Sequence, residues 1–423
     1  MADALAKPAP PPLAPPDHYD PGEVAEMLRE IGIGLVEVSA PVQLIEDRLQ
    51  RIAAQYTTEP VQVAVLPTML IVQIGDNVHQ MEAWAQPSGL LDTAGRVDEI
   101  TELALAGAIA PADAVAAVRD ARHRPPRFGP VLTTLGYAVT TVGFGMVIEP
   151  SWNSVPAHFF LGLVVGLIVQ IGRPFPNLAP ILPTLSAVVV TVLATWFVSD
   201  VAHDGLLRVI SPALIATLPG MALVVGAIEL AGGRIVSGAS RTVYGLAQLA
   251  LLVYGVVLGV RIAGVVVPQT PSATMGSWSL YASILVIAVG LYFYLSAPRW
   301  SLIWLTLTVA VAMLTQTAAG AVANNAHSGF IAAAVAIPFA VGASRIKSAP
   351  PSSVLTLAAF WSLVPGQLTF MSVSRTVAGD YSNTAGLGVA GAAILSIALG
   401  TLVGWSLVRT FLPRRQRPSS QRG

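Results

Sequence analysis

From residue 130 to residue 410 the chain consists of long apolar segments separated by short polar connections. A helix needs about 20 apolar residues to cross the hydrocarbon core of a bilayer. Ten segments come close to that length, so we predict an all-α polytopic membrane protein with ten membrane-spanning helices. The segments cover residues 130–148, 156–172, 179–199, 206–231, 242–265, 277–296, 300–318, 326–343, 353–374 and 386–410.

The pattern before residue 129 is different and predicts a small soluble α+β domain over residues 21–128. After Val42 the apolar positions recur at spacings of three and four, which indicates an amphipathic helix. Alternating and β-branched stretches indicate two strands, and Pro111 marks the start of another helix. The strands are expected over 61–65 and 69–74, and the further helices over 23–33, 97–105 and 112–121.

The composition supports this division into two parts. Hydrophobic residues make up 54% of the chain and charged residues 11%, as in integral membrane proteins. Of the 23 acidic residues, 18 lie in residues 1–128. The net charge is zero and no basic patch stands out, so we expect no nucleic-acid partner. The chain has no cysteine, which excludes disulfides and thiol chemistry.

The charges in the connections predict the orientation in the membrane. Residues 1–20 read as a disordered proline-rich arm without the features of a signal peptide, so the soluble domain is expected in the cytoplasm. Arginine and lysine concentrate in alternate connections and in the basic tail at 413–423. Because cytoplasmic connections carry the excess of these residues, both termini are predicted to be cytoplasmic.

Two matching Pro-Gly breaks interrupt the apolar segments. Thr217-Leu218-Pro219-Gly220 lies in the fourth segment, and Leu363-Val364-Pro365-Gly366 follows 146 positions later in the ninth. Proline removes a helix hydrogen bond, and freed backbone groups are tolerated in a membrane only where protein or a watery cavity receives them. Paired breaks in two halves are a pointer to a transporter binding site. The alternative is that each break is a proline kink relieved by packing.

The spacing of the segments indicates an internal duplication. The first and sixth segments start about 147 residues apart, as do the third and eighth. Two membrane repeats of five helices each are therefore predicted, over residues 129–270 and 271–412. Because five is odd, the second repeat enters the membrane from the opposite side, and inverted repeats of this kind support alternating access.

These motifs resemble the threonine/serine exporter family of bacterial inner-membrane carriers. The resemblance rests on the order and spacing of several stretches and covers about residues 30–410. It implies a cytoplasmic N-terminal domain, ten spans in the bacterial inner membrane, and export of small amino acids by the proton motive force. The stretches are Thr217 to Leu223, Glu229-Leu230, Ser237-Gly238, Arg241, Leu363 to Gly366, and Val42 to Thr68 with its ending Val65-Leu66-Pro67-Thr68.

A zwitterionic amino acid needs donors for its carboxylate and acceptors for its ammonium group. Broken helices supply both, through exposed N–H groups at a positive helix end and through freed carbonyls. For Thr217 the alternative is a hydroxyl that bonds back to a carbonyl of its own helix. The predicted substrate-binding residues are Thr217, Pro219, Gly220, Pro365, Gly366 and Gln367.

Glu229 is the candidate for proton coupling. It is the only acidic residue well inside a predicted span, and ionisable groups there are costly and commonly functional. The alternative is that Glu229 lies at the cytoplasmic interface, where Arg234 neutralises it.

Other function classes remain open to different degrees. An intramembrane enzyme would need a nucleophile and a base at membrane depth, and we place no histidine within a span, so no enzyme is expected. A passive channel would not need a duplicated break, and export of another small solute such as a dicarboxylate or a peptide is the serious rival.

Threonine or serine, protons and the lipid bilayer are the expected partners. No cofactor or metal is expected, and a homo-oligomer is left open.

Overall fold

A computed structural model of the chain describes residues 10–82, 90–148, 150–198, 206–264, 273–323, 325–363, 370 and 385–411. The described part is mostly helical and contains one small sheet. The predicted arm at 1–20 lies partly outside the described residues, and the basic tail at 413–423 lies entirely outside them.

The N-terminal part, from Pro21 to His123, contains the helices and strands that the sequence predicts. The strands form an antiparallel meander in the order β1-β2-β3. The predicted helices and the first two strands are confirmed, whereas β3 was not predicted. The elements are α1 (Pro21–Glu37), α2 (Val42–Tyr56), β1 (Val61–Leu66), β2 (Met69–Ile74), β3 (Asn77–Glu82), α3 (Leu91–Leu105) and α4 (Pro111–His123).

One apolar core holds these elements together. Asp20 starts α1 by accepting the N–H groups of Gly22 and Glu23, at 2.9 and 3.2 Å. The apolar face of α2 that the spacing predicts is fully buried against α1 and the sheet. This unit has a core of its own, separate from the apolar helices that follow, and we call it the N-terminal domain. Its limits at residues 21 and 128 stay a prediction.

Two arginines that supported the topology prediction are part of this fold. Arg119 and Arg122 on α4 each pair with Glu30 of α1 at 3.0 Å, and Arg122 pairs with Glu37 at 2.6 Å. Burial would raise the pKa of Glu30, but hydrogen bonds from Arg29 and Arg119 outweigh burial and hold the pKa below its usual value. These arginines therefore tie α4 to α1.

Apolar helices form the rest of the described chain. They are α5 (Pro130–Ile148), α6 (Ser154–Gly172), α7 (Leu182–Phe197), α8 (Leu206–Leu214), α9 (Gly220–Ala231), α10 (Ile235–Ala263), α11 (Trp278–Tyr294), α12 (Leu302–Ala323), α13 (Asn325–Ala343), α14 (Ser352–Leu363) and α15 (Ala385–Phe411).

Among the described residues, five helices are long and apolar enough to cross a membrane. These are α5, α6, α10, α12 and α15, and the bent pair around Leu218 would make a sixth. The helices α7, α11, α13 and α14 are apolar but shorter. Each predicted segment therefore contains an apolar helix or the bent pair, while the number of ten spans stays a prediction.

The surfaces of these helices suit a lipid environment. Large apolar side chains point outward along them, among them Phe197 at 73% exposure and Ile303 at 71%. In the N-terminal domain, by contrast, Leu103 at 37% is the one exposed large apolar side chain among the residues described. Large apolar patches on a water-soluble surface are rare, so the outer faces of the helices mark contact with the bilayer.

The connections between the helices alternate between two ends of the bundle. At one end, Met275 donates its N–H to the carbonyl of Pro150 at 2.6 Å, which joins the connections after α5 and after α10. At the other end, Leu91 donates to the carbonyl of Leu295 at 2.8 Å, which joins the N-terminal domain to the connection after α11. The domain also reaches the connections before α10 and α14. The connections after α5 and after α10 thus lie together, while the connections after α9 and after α11 and the start of α14 lie against the N-terminal domain.

Small residues bring the two halves together. The helix α5 of the first half packs along α11 of the second, and glycines line their contact. A Cβ at Gly136 would lie 2.6 Å from the backbone nitrogen of Tyr294, and one at Gly143 would lie 2.9 Å from that of Ile287. Close backbone approach at small residues is how membrane helices gain van der Waals contact. Among the described residues the first half contains six α-helices and the second half five, and the internal repeat with its inverted relation stays a prediction.

This contact gives the first testable prediction. Gly136→Val should lower the thermal stability of the detergent-solubilised protein, because its side chain would overlap the backbone of α11 and overpacking costs ~1–3 kcal/mol or more. The matched control is Gly342→Val in α13, where an added Cβ would meet nothing within 4 Å. Melting followed by size-exclusion chromatography measures both. Equal melting temperatures for the two variants would contradict the assigned contact.

Candidate functional site

The first predicted break is a sharp bend between two short helices. A single 3-10 turn (Ile215–Thr217) follows α8, and α9 starts at Gly220 directly after Pro219. The helices on either side are bent by 66°. Neither Pro219 nor Pro212, which lies inside α8, has an N–H to donate, so this stretch cannot complete a regular helix.

Tyr137 of α5 forms hydrogen bonds with backbone groups at the bend. Its hydroxyl donates to the carbonyl of Ala213 at 2.5 Å and accepts the N–H of Ala216 at 3.3 Å. The hydroxyl of Thr217 donates to the carbonyl of Leu214 at 2.6 Å. Buried backbone groups must be paired in an apolar interior, so these bonds stabilise the bend. The two carbonyls are therefore occupied in this conformation, and Thr217 shows the back-bonded hydroxyl that we gave as its alternative role.

The start of α9 lacks a side-chain cap among the described residues. Its N-cap residue, Pro219, makes no side-chain capping bond. The first N–H groups of a helix have no partner within it, and together they form the positive end of the helix dipole. Gly220 brings no side chain to this point, and it is buried. This end of α9 is suited to a carboxylate.

The approach to the second break lies near the first. Trp361 of α14 contacts the ring of Tyr294, and Tyr294 contacts Tyr137, with centroid distances of 5.9 and 4.8 Å. Phe370 is fully buried in the same apolar cluster as Ala213 and other residues of the first bend. The predicted site residues Pro365, Gly366 and Gln367 lie outside the described residues.

Glu229, the predicted coupling residue, lies in α9 and is 1% exposed. Its Oε1 atom accepts the N–H of Val42 at 3.1 Å and lies 3.2 Å from Nε of Arg241. The other carboxylate oxygen has no hydrogen-bond partner among the residues that the structure describes. Arg241 pairs with this carboxylate, so the arginine that we named in the alternative role for Glu229, Arg234, is not its partner. Arg234 pairs instead with Glu46 of α2.

Through its bond to Val42, Glu229 caps the start of α2 in the N-terminal domain. Val42 is the first residue of α2, and the N-cap residue Pro41 offers no side-chain acceptor. A carboxylate at this position satisfies an orphan N–H and faces the positive end of the helix. The membrane part thereby provides the cap that the sequence of α2 lacks.

A second buried acid lies on the N-terminal domain and contacts the membrane part. Asp98 of α3 binds Arg48 of α2 at 2.7 Å, and its other oxygen accepts the N–H of Ser353 at 3.3 Å. Ser353 lies in the first turn of α14, the helix that leads to the second break. The N-terminal domain is thus bonded to α9 after the first break through Glu229, and to α14 before the second through Asp98.

Sequence reasoning missed several of these residues. His158 lies in α6, 1% exposed, with neither ring nitrogen hydrogen-bonded to a described residue, so the statement that no histidine lies within a span is wrong. Tyr137 is the one tyrosine of α5, but its hydroxyl did not stand out because the same helix carries four threonines. Asp98 gave no such signal, because it resembles the other acids on the surface of α3.

Together these features define a class of protein. Apolar helices, a broken helix with an uncapped positive end, and a soluble domain bonded to one end of the bundle describe a polytopic membrane protein of the transporter type. A family model described as "Putative threonine/serine exporter" matches residues 26–263, more than half of the chain. The chain belongs to this family, and the resemblance noted from the motifs is confirmed.

The curated relatives are fungal and longer. An uncharacterised protein of Schizosaccharomyces pombe is 23% identical over 241 residues, which cover 54% of this chain and 32% of the relative. Pheromone-regulated membrane protein 10 of Candida albicans is 25% identical over 215 residues, 47% of this chain and 19% of the relative. The chain thus spans a third or less of the length of these relatives. No solved structure matches significantly.

The contacts of Tyr137 give the second prediction. Tyr137→Phe keeps the ring but leaves the carbonyl of Ala213 without its donor, which costs ~1–3 kcal/mol for a buried group. The variant should melt at a lower temperature in detergent. The control is Tyr281→Phe in α11, whose ring is 65% exposed. If the two variants melt alike, the hydroxyl does not stabilise the bend.

The cap on α2 gives the third prediction. Glu229→Ala should speed amide hydrogen exchange at Val42 about tenfold or more, since a hydrogen bond to a charged group contributes ~1.5–3 kcal/mol. Mass spectrometry of peptides covering the start of α2 measures the exchange. Glu99→Ala, at an exposed position of α3, serves as the control. Unchanged exchange in the Glu229 variant would show that the carboxylate does not cap α2.

Proposed function

We propose that this protein is a secondary transporter that exports small neutral amino acids, threonine and serine, by alternating access driven by the proton motive force. The bend at Pro219-Gly220 carries the proposal, because a broken membrane helix places polar backbone groups within an apolar bundle. Membership of a family described as a putative threonine/serine exporter supports the proposed direction of transport and class of solute.

The substrate would bind between the two breaks. Its carboxylate would lie at the uncapped start of α9, against the N–H groups near Gly220, where Pro219 leaves the helix end open. Its ammonium group would face carbonyls of the second break, with Pro365, Gly366 and Gln367 as the counterparts in the second half. The role of Thr217 is to hold the bend, since its hydroxyl is bonded to Leu214.

The protein would lie in the bacterial inner membrane with both termini in the cytoplasm. Ten spans in two inverted repeats would then place the N-terminal domain at the cytoplasmic end of the bundle. The contacts of this domain with alternate connections support the assignment, because they put those connections on one side.

Glu229 would couple transport to protons. It faces Arg241 and the start of α2, and one of its oxygens has no partner among the described residues. Protonation would remove the charge that pairs with Arg241 and weaken the cap on α2, so the proton would act on the contact between α9 and the N-terminal domain.

The fourth prediction tests export in cells. Producing and non-producing cells are loaded with a threonine-containing dipeptide, and threonine is followed inside and outside. We expect faster efflux from producing cells, and collapse of the difference on addition of a protonophore. Equal efflux from both kinds of cell would contradict export of threonine and would favour another solute, such as a dicarboxylate or a peptide.

The same assay tests Glu229 with a matched pair of variants. Glu229→Gln keeps an oxygen that can accept the N–H of Val42 but loses the charge, so efflux should fall to the level of cells with protonophore. Glu23→Gln removes an acid in the first turn of α1 and should leave efflux unchanged. Normal efflux by the Glu229 variant would remove this residue from proton coupling while leaving the exporter in place.

A further inference from the structure

A cleft lies between the N-terminal domain and the membrane part. Its volume is about 350 Å³, within the size range of sites for small ligands. Its walls come from both parts of the chain, so it exists only because the domain is docked. Lining residues on the domain side are Gln43, Glu46, Asp47 and Gln50 of α2 with Val63 of β1, and those on the membrane side are Arg234 and Arg409.

The domain side of the cleft is acidic. The spacing of Gln43, Glu46, Asp47 and Gln50 places them on one face of α2. Glu46 is nearly buried and already bonded, to the N–H of Val65 at 3.1 Å and to Arg234. Asp47 is 47% exposed and only loosely paired, with Arg51 at 3.7 Å. Asp47 is therefore the carboxylate that is open to a cationic group.

The membrane side is basic. Arg234 lies at the start of α10, and its side chain is 46% exposed while it pairs with Glu46. Arg409 lies near the end of α15 and is exposed, with no ion pair to any residue that the structure describes. A guanidinium group presents a planar fork that suits a carboxylate. Arg409 is the cation that is open to an anionic group.

We propose that this cleft binds a free amino acid on the domain side of the membrane, with its ammonium group at Asp47 and its carboxylate at Arg409. Opposite charges on facing walls match a zwitterion, whereas a dianion or a dication would meet one wall of like charge. Gln43 supplies donors and an acceptor for a side-chain hydroxyl.

This inference rests on the proposed function, since the bound molecule would be the solute that is to be exported. The cleft adjoins the contacts that hold the domain to α9, because Glu46 and Arg234 line it and Gly232 packs against Gln43. An amino acid bound here would add a bridge between the domain and the membrane part. The cleft would serve as the loading site, separate from the site between the two breaks.

The fifth prediction uses the absence of cysteine in the chain. Gln50→Cys gives the full-length protein a single thiol at an exposed position of the cleft, and maleimide labelling is followed in detergent. Threonine should slow the labelling about tenfold at a concentration ~10 times its Kd, because a bound ligand shields the thiol. Threonine amide, which lacks the carboxylate, should not slow it.

Two further variants test whether threonine protects the thiol by binding in the cleft or by binding between the two breaks. Arg409→Gln added to Gln50→Cys should abolish the protection by threonine. Arg124→Gln, which removes an arginine directly after α4 that pairs with Asp120, should leave it intact. Protection that persists without Arg409, or equal protection by the amide, would overturn the proposal. So would no protection at all.

Efflux from dipeptide-loaded cells distinguishes this failure from failure of the proposed function. Loss of protection with normal threonine efflux would remove the cleft site and keep the exporter. Protection without threonine efflux would keep an amino-acid site and remove the exporter.

Discussion

The arrangement of this protein depends on one buried carboxylate at the meeting point of its two parts. Glu229 is almost fully enclosed, caps α2 through Val42 and pairs with Arg241. A buried ion costs several kcal/mol unless charges and hydrogen bonds compensate it, and removal of one partner strands the other. If the N-terminal domain left this position, Glu229 would lose the N–H of Val42 and the cap of α2 would be open. The carboxylate thus couples the position of the N-terminal domain to the position of α9.

The bend lies at the start of α9, whose other end carries Glu229, and it is held by contacts within the chain. Tyr137 and Thr217 occupy the carbonyls of Ala213 and Leu214, whereas the start of α9 keeps N–H groups without a side-chain cap. At this bend it is therefore backbone donors, rather than these two carbonyls, that lack a side-chain partner among the described residues, which suits the carboxylate end of an amino acid. Because Asp98 holds the start of α14 as Glu229 holds α9, any movement of the N-terminal domain would act on the helices beside both breaks.

How far the sequence predicts this structure depends on whether the deciding contact is local. The helices around Val42 and Pro111 and the strand at 69–74 follow from periodicity and turn residues, and the structure confirms them. The bend at Pro219-Gly220 was also predictable, because proline acts on its own helix. The cap on α2 was not, since Val42 and Glu229 are 187 positions apart and only tertiary packing brings them together. For the same reason the pairing of Glu229 with Arg241 was missed in favour of the nearer Arg234.

Transient counterflow in proteoliposomes tests the central claim most directly. The purified protein is reconstituted with unlabelled threonine inside, and labelled threonine is added outside at low concentration. A carrier with an alternating site predicts that the label first accumulates above its equilibrium level and then declines, and that a pH gradient across the membrane changes the rate. Uptake that rises steadily to equilibrium would indicate a passive pore, and uptake equal to that of protein-free liposomes would contradict threonine transport altogether.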